Sequence, residues 1–188
     1  MQAFVGIGQF VNIRRSDELA YKDALEVASS RGEDTSALEE AYHKYLNADN
    51  MEDFLNLRRM AEPYHPPEVE THTIKKAFFS PYTGIDDARW ALRQTSDPEG
   101  YSKLNKQLYD YVYTYNIYDD PMEYPVPAFF ISGDRDYICN YTLAEKYCED
   151  ITAPVKEFAA IPGCGHVPQF SEPEVFAEIL KEMLDKIR

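Results

Sequence analysis

Two turns in the last third of the sequence carry side chains that could move a proton. The run Pro127-Ala-Phe-Phe-Ile-Ser-Gly-Asp-Arg-Asp136 is a short apolar stretch that ends in an acid-bearing turn. The run Glu157-Phe-Ala-Ala-Ile161 leads into Pro-Gly-Cys-Gly-His166, a glycine-rich turn that carries a histidine. A carboxylate that fixes the tautomer and orientation of an imidazole makes that imidazole a general base. The chemistry needs the two side chains to meet, so the fold must bring the two turns side by side.

Each apolar run has the length of a buried parallel strand, and the segment between them reads as a helix, which makes a βαβ unit. Loops that follow parallel strands open on one edge of the sheet, where ligands bind in open α/β folds. Asp136 and His166 are therefore expected at neighbouring strand ends. Gly133-Asp134-Arg135-Asp136 offers two carboxylates, and either could be turn chemistry, since Asp is common in turns. Cys164 shares one tight loop with His166 and has no elbow or oxyanion hole, which makes it a poor thiol nucleophile. Cys139, Cys148, Cys164 and His166 do not form two close ligand pairs, so zinc is not expected. His43, His65 and His72 have no metal-like partner spacing and read as surface or core residues.

Further strands and helices complete the frame. Ala3 to Gly8 reads as a short buried strand. Gly6-x-Gly8 lacks the third glycine of a dinucleotide fingerprint and reads as a close-packed strand end. Ser16-Asp-Glu reads as the cap and first turn of a helix that stops at Arg31-Gly32. Ser36-x-x-Glu39 is a capping-box pattern for a second helix, and Asn50 caps a third. A helical stretch follows over about 73–79, and another holds Asp86 to Gln94 with Trp90. Asp97-Pro98 opens the next, which carries Leu104, Leu108, Tyr111 and Val112. Asp119 to Pro127 is a proline-rich re-entry into the sheet. Thr142-x-x-Glu145 begins the helix between the two site turns, and Ser171-x-x-Glu174 opens a final amphipathic helix with Phe176, Ile179, Leu180, Met183, Leu184 and Ile187 on one side.

The fold class is thus α/β, with about three parallel strands near 3–8, 127–132 and 156–161. A nearly all-helical block separates the first two strands. A connection that long is no ordinary crossover and reads as a subdomain. The divisions are 1–15 with 119–188 for the α/β portion and 16–118 for the helical block.

Composition bounds the function. An apolar content of 44% supports a packed core, and the 15 Tyr and 10 Phe suit half-buried helix faces. With 33 acidic against 19 basic residues the net charge is −14, which argues against nucleic acid or an anionic membrane as partner. Three cysteines give no disulfide framework and suit a reduced compartment. No signal-like segment opens the chain and no run approaches a membrane span, so a cytoplasmic protein is expected.

Gly133-x-x-Asp136 after an apolar strand, followed by Gly163-x-Gly165-His166, resembles the end of an α/β-hydrolase fold. The opening Phe4-Val-Gly-Ile-Gly-Gln-Phe-Val11 and the tail His166-Val-Pro-Gln-Phe-Ser-Glu-Pro-Glu-Val-Phe176 resemble its proline iminopeptidase-like branch. The resemblance covers nearly the whole chain but only the carboxy-terminal half of the family's domain. It implies Asp136, by the Gly-x-x-Asp spacing, as the triad acid and His166 as the base. It implies a helical cap over the site at 16–118, no cofactor, and a small peptide, amide or ester as substrate. Such iminopeptidases hold the substrate's amino group with cap carboxylates, a duty that no motif assigns among Glu39, Glu40, Glu52 and Asp53. The usual proline four residues after the acid is Asn140 here. The family's nucleophile lies in Gly-x-Ser-x-Gly, and no such pentapeptide occurs in the chain. Ser132 lies inside a strand and Ser80 precedes Pro81. Met1 leads at once into what should be a central strand. The expectation is a carboxy-terminal portion of a hydrolase, inactive alone, whose partner is a chain with the missing half or a second copy of itself. The rival expectation is a non-catalytic binding or self-associating protein derived from that fold.

Overall fold

The structure, a computed structural model, describes residues 2–48, 51–65, 79–81 and 83–187. Among them, three strands form one sheet: β1 (Phe4–Ile7), β2 (Ala128–Gly133) and β3 (Lys156–Ile161). All are parallel, as the apolar runs predict, and they lie in the order β1-β2-β3. Phe4 stands opposite Ala128, and Gly133 opposite Ile161.

The central strand is buried along its whole length. That is why its sequence is a continuous apolar run rather than an alternating one. Ala128 and Phe130 face a cluster with Ala144, Tyr147 and Cys148 of helix α7 (Tyr141–Asp150). Phe129 and Ile131 face Ile161, Cys164 and Met183, joined by Phe176, Ile179 and Leu180 of helix α9 (Pro173–Asp185). One helix thus covers each face. A short helix α8 (Pro168–Ser171) precedes α9. Ser171 therefore ends one helix instead of capping the next, and Pro173 starts α9, because its fixed φ suits a first turn and stops α8.

Between β1 and β2 run α1 (Ile13–Ser30), α2 (Ser36–Leu46), α3 (Met51–Ala61), α4 (Ile85–Ser96), α5 (Pro98–Leu104) and α6 (Lys106–Thr114), with a 3-10 turn at Glu62–Tyr64. Helix α1 starts earlier than Ser16. Asn12 is its cap, accepting from the Arg15 backbone at 2.9 Å. Ser16 and Asp17 are buried within it. It ends as expected: Gly32 has φ +69°, and the Gly32 and Glu33 N–H groups donate to the Ser29 and Ala28 carbonyls in a Schellman motif. The second cap falls on Thr35, whose hydroxyl donates to Glu39 at 2.7 Å. The helix read as continuous from Asp97 to Val112 is divided at Asn105. The cap at Asn50 and most of the stretch at 73–79 lie outside the described residues.

The helices have a core of their own. Tyr45, Phe54, Leu57 and Tyr113 are buried in it with Leu38 and Ala41. Phe54 stacks on Tyr113 at 3.7 Å and Tyr21 on Tyr42 at 3.9 Å between ring centroids, so much of the aromatic content packs helix to helix. Inside this core Asp17 accepts from the Tyr45 hydroxyl at 3.0 Å and from Arg58 Nε at 2.8 Å. No helix among the described residues is long and apolar enough to cross a membrane.

Candidate active site

Asp136 sits three residues past the end of β2, and His166 five past the end of β3. Because the strands are parallel neighbours, both turns emerge at the same sheet edge. The turns cross in close contact at Gly133. A Cβ there would lie 2.1 Å from the Cys164 carbonyl oxygen and 2.3 Å from that of Gly165, so only glycine fits. Three bonds lace the crossing: Asp134 N–H to Ile161 O at 3.1 Å, Arg135 N–H to Cys164 O at 2.9 Å, and Gly163 N–H to the Asp134 carboxylate at 2.7 Å. Asp134 therefore pins the histidine turn, with Arg135 Nε 3.8 Å away.

The geometry then delivers the pair. Asp136 Oδ2 lies 3.0 Å from His166 Nδ1. Its other oxygen, Oδ1, accepts from the backbone N–H groups of Ile138 at 3.0 Å and Cys139 at 2.9 Å. The carboxylate is fully buried, while the imidazole keeps some contact with solvent. The hydrogen bond that the imidazole donates to Asp136, with a second to the Cys139 side chain, pushes the His166 pKa from 6.5 up to about 10, against the opposing pull of burial. Nδ1 therefore carries a proton toward Asp136, which leaves Nε2 as the nitrogen able to exchange one with a reactant.

Three further residues shape the site. Gly8 has φ +54°, and a Cβ there would lie 2.9 Å from His166 Cε1 and Nδ1. The close-packed strand end read from Gly6-x-Gly8 is thus the surface against which the imidazole lies. A glycine just past one strand, at the sheet edge that carries the histidine, is the only sequence signal for it. Cys139 adds the second imidazole contact, and Asn140 caps α7 by accepting from the Thr142 N–H at 3.1 Å. Neither has a motif.

The remaining candidates lie elsewhere. Cys164 is buried among Phe129, Ile131 and Met183, which is a core position. Ser132 is fully buried inside β2. His43 is exposed, whereas His65 stacks on Tyr137 at 4.3 Å with its Nε2 3.0 Å from the Ala20 carbonyl; His72 lies outside the described residues. A cavity of about 570 Å³ beside the acid turn is lined by Asp23 and Glu26 of α1 together with Tyr64, His65, Arg135 and Tyr137. Glu39, Glu40, Glu52 and Asp53 do not line it. Among the described residues no group of three or more His, Cys, Asp and Glu could hold a metal ion.

A parallel sheet with helices on both faces defines an α/β protein, and it brings an acid and a histidine together at adjacent strand ends. The family model of the alpha/beta hydrolase family matches residues 26–179, and the chain belongs to that family. It is 32% identical over 75 residues to a probable aminopeptidase, YbaC, of Bacillus subtilis (strain 168), a match that covers 40% of this chain and 24% of that protein. Its fold is similar to the crystal structure of a proline iminopeptidase of Mycobacterium smegmatis, with a TM-score of 0.57 and 14% identity over 98% of this chain and 57% of that one. The chain thus spans little more than half of that structure, and the matched part spans about a quarter of the curated relative.

Proposed function

We propose that this chain is the carboxy-terminal portion of a serine hydrolase of aminopeptidase or proline iminopeptidase type. Asp136 is the triad acid and His166 the base. Residues 16–118 form the cap, and 1–15 with 119–188 form part of the catalytic domain. The observation that carries the reading is the buried Asp136 carboxylate 3.0 Å from His166 Nδ1 at adjacent strand ends. The nucleophile comes from outside these residues, because the chain has no Gly-x-Ser-x-Gly. In the assembled site a serine attacks the carbonyl of a small peptide, amide or ester. Nε2 takes and returns the proton while Asp136 holds the imidazolium. The hydrogen bond to Asp136 raises the pKa of this base in the chain by itself. Covering His166 with the nucleophile's half would add desolvation, which lowers its pKa toward the working range. The reading places the protein in the cytoplasm and requires no cofactor.

The partner is therefore a chain or segment carrying the nucleophile elbow. Reading the DNA upstream of the Met1 codon tests this. A frame encoding Gly-x-Ser-x-Gly is expected, and its product joined to this chain should cleave aminoacyl-p-nitroanilides and lose that activity in His166→Ala. The chain alone should not label with a fluorophosphonate probe. Stoichiometric labelling of the isolated chain at any serine would falsify the reading. The second reading, a non-catalytic self-associating protein, draws on the exposed apolar side chains of α4–α6 and gains if no such frame exists.

A further inference from the structure

We propose that Ser16, in the first turns of α1, is a positioning residue for the Asp136–His166 pair; this rests on the assignment of those two as acid and base. Three successive backbone N–H groups follow the acid turn. Those of Ile138 and Cys139 go to Asp136 Oδ1. The third, of Asn140, crosses 124 residues of sequence to Ser16 Oγ at 3.2 Å. Ser16 and Asn140 are 2% and 8% exposed, so water is a poor substitute for this contact.

The clamp is held from both sides. The Asn140 side chain accepts from the Thr142 N–H and hydroxyl, at 3.1 and 2.6 Å, which fixes it to α7. On the other side, Asp17, next to Ser16, is tied to Tyr45 of α2 and Arg58 of α3. The Ser16 hydroxyl thereby joins the helical block to the backbone that aims Asp136, beside the stack of His65 on Tyr137. Deleting the hydroxyl leaves a buried N–H without an acceptor. The segment then relaxes by turning that amide elsewhere. This rotates the adjoining peptide and pulls the Cys139 N–H off Oδ1. Asp136 is held less firmly, and the imidazolium loses part of the hydrogen bond that raises its pKa.

The test is the titration of the His166 ring by NMR in the full chain, with the signal assigned by its loss in His166→Gln. Ser16→Ala should lower the His166 midpoint by about one pH unit, as expected for a weakened hydrogen bond to the charged form. Ser16→Thr, which keeps the hydroxyl, should restore the parent midpoint. Tyr45→Phe loosens the same helices without touching the acid turn, and should lower the melting temperature while leaving the midpoint in place. An unchanged midpoint in folded Ser16→Ala overturns the proposal, as does an equal shift in Tyr45→Phe, which would make the effect general loosening. If Ser16→Ala does not fold, Ser16→Cys, with a weak acceptor of similar size, must show an intermediate shift, and a parent-like midpoint there overturns it. None of these readouts requires hydrolysis. A failed clamp and a failed hydrolase reading therefore give different results.

Discussion

Two hydrogen bonds, to Asp136 and then to Cys139, hold the His166 imidazole near pKa 10, well above its ordinary 6.5. A raised folded-state pKa stabilises the fold fully below the unfolded value, and that stability is lost as pH rises through the folded value. Urea unfolding should therefore show stability falling between about pH 7 and pH 10. Asp136→Asn, which removes the larger contribution, should flatten that decline; an unchanged slope would contradict the assignment of the raised pKa to Asp136. A second test is Gly8→Ala. It forces a residue with a side chain into φ +54° and puts its methyl 2.9 Å from the imidazole. A cost of about 2 kcal/mol is expected, read by chemical denaturation, together with a shifted His166 ring signal. The acid and the histidine were legible because turn residues follow apolar strands at a recognisable spacing. Gly8 was not, because its neighbour in space is a ring 158 residues away in sequence.

Elements whose burial alone dictates their sequence were legible in full. The strand at Ala128–Gly133 is closed in on both faces, so its apolar run could be nothing else. Helix starts were less legible, since Ser, Asp and Thr serve equally well as caps and as buried partners. Ser16-Asp17 has the look of a cap, yet both residues are inside α1, and Asp17 lies in a buried cluster with Tyr45 and Arg58. Burial pushes the Asp17 carboxyl up, and Arg58 opposes it. Asp17→Ala should cost about 3 kcal/mol, because it strands a guanidinium and a hydroxyl in the core. Asp17→Asn, which keeps some hydrogen bonding, should cost less. At the crossing of the two site turns, Gly133→Ala meets backbone oxygens at 2.1 and 2.3 Å that cannot step aside. About 3 kcal/mol of destabilisation and loss of the Asp136–His166 contact are expected, checked by thermal unfolding and by a fall of the His166 midpoint.

On the scale of the whole molecule, the three-stranded sheet has an uncovered edge among the described residues. Among the described residues β1 pairs with β2 alone, so its other edge presents backbone N–H and C=O groups without strand partners. Phe4 and Val5 are half-buried there and Ile7 is 41% exposed, with no charged side chain in the strand to repel an incoming chain. Trp90 of α4, 66% exposed, and Leu104 of α5, 84% exposed, add apolar surface on the helical block. A flat apolar edge is a template for strand addition, and contiguous apolar patches beyond a few hundred Å² are rare on monomers. We propose that, where no partner supplies a neighbouring strand, a second copy occupies the β1 edge. The isolated chain should then self-associate with a mass that rises with concentration, measured by light scattering over a dilution series. Ile7→Lys puts a charge on that edge, the device natural edge strands use, and should move the equilibrium toward monomer. The net charge of −14 opposes close approach of two copies, so added salt should strengthen the association. A monodisperse monomer at micromolar concentration that unfolds cooperatively would mean that this edge needs no partner.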